Sequence, residues 1–269
     1  MHAYVINLTR SLDRRAHITK ELAKANLDYE LVSGVDGREL DLQNSSLVDS
    51  SFFSRCPFPA GAAGCALSHY RAYKQILDDD RDTALVLEDD IVLPHDVGEL
   101  IDNLAERLTG AEVALLNFAS FPPGPLKVSR EESVDLSGAR ILAFPVDVGQ
   151  LVNAGAYVIT REACIRMVEK AIPIRTTADD WRFFYEEGLL DRVRCVLPAP
   201  VVKNARFEST IGLYSLGNGL KAKVLGPLVR RKIPILSQVI RYRRARIQRQ
   251  WDRAEIVDTP FVARPSRIG

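Results

Sequence analysis

Apolar and polar positions alternate between two rhythms along the first hundred residues, and the rhythms predict the elements. "AYVINL", Ala3 to Leu8, is a short continuous apolar run, which suits a buried strand. "SLDRRAHITKELAKAN" then places Leu12, Ile18 and Leu22 at helical spacing among charges, with Ser11 as a cap and Asp13 in the first turn. "YELVSGVDGREL" reads as a second strand followed by the Gly-punctuated turn "SGVDG". This strand, helix, strand opening predicts an α/β layer architecture with a mainly parallel sheet flanked by helices.

The pattern continues with one interruption. Asn44 to Ala60 is polar and broken by proline, so a loop is expected there. "GAAGCALSHYRAYKQILDDD" predicts a helix whose apolar face uses Ala63, Ala66, Leu67, Tyr70, Ile76 and Leu77, with His69 beside that face. "ALVLEDD" and "EVALLNF" read as strands separated by the amphipathic segment "VGELIDNLAERL". The stretch from Phe121 to Gly138, opened by "FPPGP" and rich in charge, is expected to be a surface excursion. "AGAYVITREACIRMVEKA" predicts a strand leading into a helix capped by Thr160, and "VRCVLPAPVV" a further strand.

Composition adds bounds. At 269 residues with 46% apolar and 26% charged side chains, the chain can bury a large core. Its four cysteines form no CxxC pair, so neither a zinc ribbon nor a disulfide framework is indicated. No apolar run reaches the ~18 residues of a spanning helix, and the start lacks a leader pattern, so cytoplasmic residence is expected. The net charge of +1 divides unevenly: Lys221 to Gln250 carry ten cations and no acid, which leaves −9 on the other 239 residues. A domain over 1–215 and a basic tail over 216–269 are therefore expected. The tail mixes Leu, Ile and Val with its cations, as membrane-surface helices do, so residues 221–251 are read as a site for anionic headgroups. Nucleic acid is disfavoured by the acidic body.

The candidate chemistry sits in "ALVLEDDIVL". Glu88, Asp89 and Asp90 would repel one another unless water or a cation intervenes. Backbone alternation sends Glu88 and Asp90 to one side and Asp89 to the other, so the first two can share a divalent ion, Mn²⁺ or Mg²⁺. Ligands of open α/β sheets bind outside the carboxyl ends of the strands. Arg10, Arg14 and Arg15 follow the first strand, on the rim where a diphosphate would need them.

Six blocks in order, "VINLTRSLDRR", "SGVDG", "GAAGCALSHYRAYKQIL", "ALVLEDDIVL", "GAYVITREAC" and "TTADDW", together resemble glycosyltransferase family 25, the bacterial lipopolysaccharide and lipooligosaccharide glycosyltransferases related to collagen galactosyltransferases. The resemblance implies a GT-A type fold and inverting transfer of a hexose, typically from UDP-galactose, to a lipid-linked or lipopolysaccharide-type saccharide at the inner face of the cytoplasmic membrane. It implies metal ligation by Glu88 and Asp90, and donor binding by Asn7, Arg10, Arg14, Arg15, His69 and Asp89. Inverting transfer also needs a base for the acceptor hydroxyl. Asp179 or Asp180 is the candidate, beside Trp181 and Phe183, which are expected to stack on a sugar. An Asp pair after a Thr pair is also a common helix start, and a helical His is often only a hydrogen-bonded interior residue. Two other functions fit the same carboxylates: metal-dependent phosphoryl transfer or hydrolysis, and nucleotide-sugar binding without turnover.

Overall fold

The computed structural model describes residues 1–42, 45–53, 56, 59–121, 124–207 and 254–257. In chain order the strands are β1 (Ala3–Asn7), β2 (Tyr29–Ser33), β3 (Thr83–Glu88), β4 (Ile91–Val92), β5 (Glu112–Ser120), β6 (Leu126–Leu136), β7 (Arg140–Pro145), β8 (Leu151–Thr160), β9 (Arg192–Leu197), β10 (Val202–Lys203) and β11 (Ala254–Val257). The helices are α1 (Leu12–Lys24), α2 (Ser50–Phe53), α3 (Pro59–Asp78), α4 (Val97–Ala105), α5 (Arg161–Lys170) and α6 (Trp181–Glu186).

Nine strands form one sheet in the order β11-β6-β7-β9-β5-β8-β3-β1-β2. Seven of them run in one direction and only β8 and β7 are reversed, so the sheet is mainly parallel, as expected. Strand alternation splits the core into two layers. Ala3, Val5, Leu85 and Leu87 face one way and bury Ile18 and Leu22 of α1 with Leu100, Ile101 and Leu104 of α4. Tyr4, Ala84 and Val86 face the other and pack on Ala63, Leu67, Tyr73 and Ile76 of α3 with Cys164 and Met167 of α5. Thr160 caps α5 by accepting from the Ala163 amide, and Glu162 pairs with Arg166 one turn later.

Some expectations need correction. The Phe121–Gly138 stretch is no surface excursion: Leu126 to Leu136 forms β6, whose Leu126 and Val128 are buried while Lys127 and Arg130 point out. Its charges lie on the solvent side, which hid the strand. Part of the expected loop before α3 is the short helix α2, and α3 itself begins at Pro59, the favoured first position of a helix. Leu12 does not join the α1 core stripe, being 67% exposed. Residues 254–257, assigned to the tail, form β11 against β6 at the sheet edge. The basic segment 221–251 and its expected membrane-surface helix lie outside the described residues.

One backbone approach shapes the ligand face. The turn after β2 presses on α3 so closely that a Cβ at Gly64 would lie 2.7 Å from both the Gly37 nitrogen and the Val35 carbonyl oxygen. Backbone cannot yield as a side-chain tip does. Gly64→Ala is therefore expected to cost ~1–3 kcal/mol through overpacking. Thermal unfolding reads this directly, and an unchanged melting temperature would show that the turn is free to withdraw.

Candidate functional site

β3 leaves the sheet beside the end of β1, with Glu88 in register with Ile6. The acidic triplet thus emerges next to the β1–α1 junction, as the parallel topology requires. Asp89 turns toward that junction, accepting hydrogen bonds from Asn7 Nδ2 at 2.7 Å and Arg14 Nη1 at 2.7 Å. The same guanidinium lies 3.4 Å from Asp90 Oδ2. Glu88 and Asp90 do share a cation, and it is one the chain supplies itself. The two-residue strand β10 pairs antiparallel with β4 and sets Lys203 opposite Ile91. From there Lys203 Nζ donates to Glu88 Oε2 at 2.9 Å and lies 4.0 Å from Asp90 Oδ1.

The electrostatics follow from that arrangement. Burial raises the Glu88 carboxyl, but the Lys203 ammonium outweighs it and holds the group below its ordinary range. Asp90 is the converse: burial, reinforced by the charges of Glu88 and Asp89, keeps it raised despite Lys203 and Arg14. Three carboxylates face two cations, and Asp90 Oδ1 is buried with no hydrogen-bond partner among the described residues. An under-compensated oxygen ligand of this kind fits a divalent cation.

The triplet closes one end of a cleft of about 310 Å³. Arg10 and Arg38 line its rim, both held by Asp36, at 2.7 Å and 2.6 Å. Those two arginines keep the Asp36 carboxyl well below its ordinary value. Cys65, Ser68 and His69 of α3 form its floor. The His69 ring is fixed from behind: Nδ1 lies 2.7 Å from the Tyr157 hydroxyl, itself 2.9 Å from that of Tyr73. Its Nε2 has no hydrogen-bond partner among the described residues and lies 4.0 Å from Glu88 Oε1, too far for one.

Arg10, Arg14, His69, Glu88, Asp89 and Asp90, expected from the sequence, therefore meet around one cleft. Asn7 does not reach it. That side chain is buried behind Asp89, which it orients. Arg15 is exposed and absent from the lining, because one residue along a helix turns ~100° away from Arg14. The acidic pair before α6 separates in role. Asp180 caps α6, accepting from the Phe183 amide at 3.1 Å and from the Thr176 hydroxyl. Asp179 instead accepts from the Asn153 amide at 3.0 Å with Oδ2, and Oδ1 has no hydrogen bond among the described residues. Trp181 cannot stack on a sugar as expected, being fully buried against Tyr157 and Phe184 with its indole donating to the Asn153 carbonyl.

The residues that sequence reasoning missed link these two acidic groups. Asn153, in the left-handed region at φ 87°, donates through its side chain to Asn117 Oδ1. Positive φ at a non-glycine position is strained and clusters at functional sites. Beside it, a Cβ on Gly155 would meet Asn117 Oδ1 at 2.7 Å and Lys203 Cε at 3.4 Å. A polar strip thus runs from Asp179 through Asn153 and Asn117 to Lys203 and Glu88. Burial, then the charges of Glu88 and Asp179, push the Cys65 thiol well above its ordinary value.

Residues 1–181 match the family described as glycosyltransferase family 25 (LPS biosynthesis protein). Among relatives, procollagen galactosyltransferase 2 of Homo sapiens is 27% identical over 117 residues, which cover 41% of this chain and 19% of that protein. The lipooligosaccharide biosynthesis protein lic2B of Haemophilus influenzae is 26% identical over 164 residues, 60% of this chain and 59% of that one. The chain thus spans less than two thirds of the length of either relative. Among solved structures, a glycosyltransferase involved in glycosylation of the major capsid of PBCV-1 aligns with 72% of this chain and 79% of its own at 11% identity and a TM-score of 0.33. With every residue lining the cleft except Lys203 inside the matched stretch, the chain belongs to glycosyltransferase family 25.

Proposed function

We propose that the protein transfers a hexose, galactose from UDP-galactose, with inversion to a lipid-linked or lipopolysaccharide-type saccharide. The observation that carries this reading is the meeting of the acidic triplet with Arg10, Arg14, Arg38 and Lys203 around one cleft in a family 25 chain. The names of the relatives, a procollagen galactosyltransferase and a lipooligosaccharide biosynthesis protein, support the donor and the acceptor class.

Glu88 and Asp90 would hold Mn²⁺ or Mg²⁺, which when bound neutralises charge on the donor diphosphate. The chain's own residues do the rest. Arg10 and Arg38 present guanidinium groups at the rim, where a diphosphate can be gripped by paired N–H donors. Arg14 and Asn7 hold Asp89, so that the turn keeps its shape as the leaving group gains charge. Asp179 takes the proton of the acceptor hydroxyl as that oxygen attacks the anomeric carbon, from the side opposite the departing UDP. Residues 221–251 would place the catalytic domain, 1–215, on an anionic membrane surface at the cytoplasmic side, where a lipid-linked acceptor resides. No helix among the described residues is long and apolar enough to cross a membrane.

A thermal-shift comparison of nucleotide sugars, with and without Mn²⁺, tests the donor. A selective, cation-dependent rise with UDP-galactose is expected, and Asp90→Ala should abolish the cation dependence. Full cation-dependent affinity in that variant would refute the metal assignment. Product analysis tests the reaction, since transfer yields UDP in step with a glycosylated acceptor, whereas a hydrolase would release it without one.

A further inference from the structure

The donor-diphosphate reading leaves one face of the cleft floor unexplained. There, Cys65 Sγ, His69 Nε2 and Glu88 Oε1 converge, with ligand atoms of the three side chains all within 4.8 Å of one another. Cys65 and His69 stand four residues apart on α3, so helical geometry turns both to one side, and Glu88 reaches them from the end of β3. All three line the cleft. His69 is only 2% exposed, yet its Nε2 has no hydrogen-bond partner among the described residues. A buried ring nitrogen left without a partner is destabilising unless something meets it.

We propose that Cys65, His69 and Glu88 form a second cation site, selective for a thiophilic transition ion such as Zn²⁺, with its remaining position open to the cleft. A thiolate and an imidazole prefer Zn²⁺ or Co²⁺ over Mg²⁺, whereas the oxygen-only pair Glu88 and Asp90 prefers the harder ions. Tetrahedral ligation requires ligand atoms ~3.3–3.5 Å apart, so the present separations close by about an ångström of side-chain rotation. The outer contacts suit the task. With Nδ1–H donating to the Tyr157 hydroxyl, backed by Tyr73, the Nε2 lone pair faces the site, as ligating histidines require. Glu88 need not release Lys203, because Oε1 faces His69 while Oε2 accepts from the ammonium. Binding converts the Cys65 thiol to thiolate, and its proton goes to solvent. Thiolate and carboxylate then balance the ion's charge. An ion seated there narrows the cleft at its floor and draws on the same carboxylate as the donor site, so Zn²⁺ acts as a competitor of the donor.

The test uses Co²⁺ as the spectroscopic probe on the full-length protein, without donor, so it stands apart from any result on sugar transfer. Titration should produce a thiolate-to-Co²⁺ charge-transfer band together with visible absorption of four-coordinate intensity, both displaced by Zn²⁺. Cys65→Ser should remove the charge-transfer band, and His69→Gln should weaken binding by tenfold or more. Asp90→Ala should leave the band in place, which separates this site from the oxygen-ligand pair. Tyr157→Phe, which keeps the ring but releases the His69 tautomer, should lower Co²⁺ affinity ~10-fold. Absence of a charge-transfer band in the unaltered protein, or its persistence in Cys65→Ser, would overturn the proposal.

Discussion

Lys203→Met is expected to lower both stability and transfer, and to do so in a way that depends on pH. Lys203 is the ammonium from which Glu88 accepts at 2.9 Å, and it lies 4.0 Å from Asp90 Oδ1, which has no hydrogen-bond partner among the described residues. Removing one partner of a fully buried ion pair costs ~3–5 kcal/mol, because the other charge stays behind without compensation. The Lys203 side chain keeps 36% of its surface exposed, so water offsets part of that loss and ~2–3 kcal/mol is the better expectation. Denaturant midpoints at pH 7 measure it. Transfer should fall by ~10²-fold or more, since a preorganised positive group beside a departing diphosphate is lost.

The pH dependence distinguishes an ion pair from mere packing. In the unaltered protein Glu88 titrates below its ordinary value, so its contribution is complete above the unfolded carboxylate pKa of ~4.3 and disappears as pH falls through the lower folded value. In Lys203→Met, burial acts on Glu88 unopposed by the ammonium and raises its pKa, so the penalty is greatest at neutral pH and eases once the carboxyl takes a proton. The gap in stability between the two proteins should therefore narrow between pH 7 and pH 4. A gap constant with pH would mean that Lys203 contributes only its aliphatic stem.

Why Lys203 escaped the sequence reading, while its partners did not, is a matter of contact range. β1, α1, β2, α3 and β3 are each specified by a local period, and the parallel pairing of β1 with β3 then brings Arg14 to Asp89. Lys203 arrives through a strand of two residues, which carries no period, and pairs with a partner more than a hundred residues earlier. Only its position beside "APVV" was visible. Trp181 failed for the opposite reason: an aromatic next to an acid looks the same in sequence whether it lines a sugar site or fills a core. The fold decides, by turning α6 so that the indole lies under Asn153. Asn153 itself gave no signal, because a left-handed backbone at a non-glycine residue is a property of the bulged β5–β8 pairing, where the register shifts on either side of Asn117.

Asp179→Asn should keep donor affinity and lose transfer by ~10²–10⁴-fold, the span associated with a positioned general base. The amide is isosteric, and its oxygen can still accept from the Asn153 amide, so the strained segment remains held. What disappears is the ability of the outer oxygen to take a proton. Asp180 provides the internal control, because its carboxylate is committed to the Phe183 amide and the Thr176 hydroxyl. Asp180→Ala should cost ~1 kcal/mol through the lost cap and leave turnover within a few-fold. Single-turnover transfer, measured alongside UDP-galactose binding for both variants, separates the roles. If Asp179→Asn turns over at the unaltered rate, Asp179 is not the base, and its hydrogen bond to Asn153 is structural support for the strip leading to Lys203. If Asp180→Ala alone abolishes transfer while folding intact, the assignment moves one residue along, and α6 would have to loosen during the reaction to free the carboxylate.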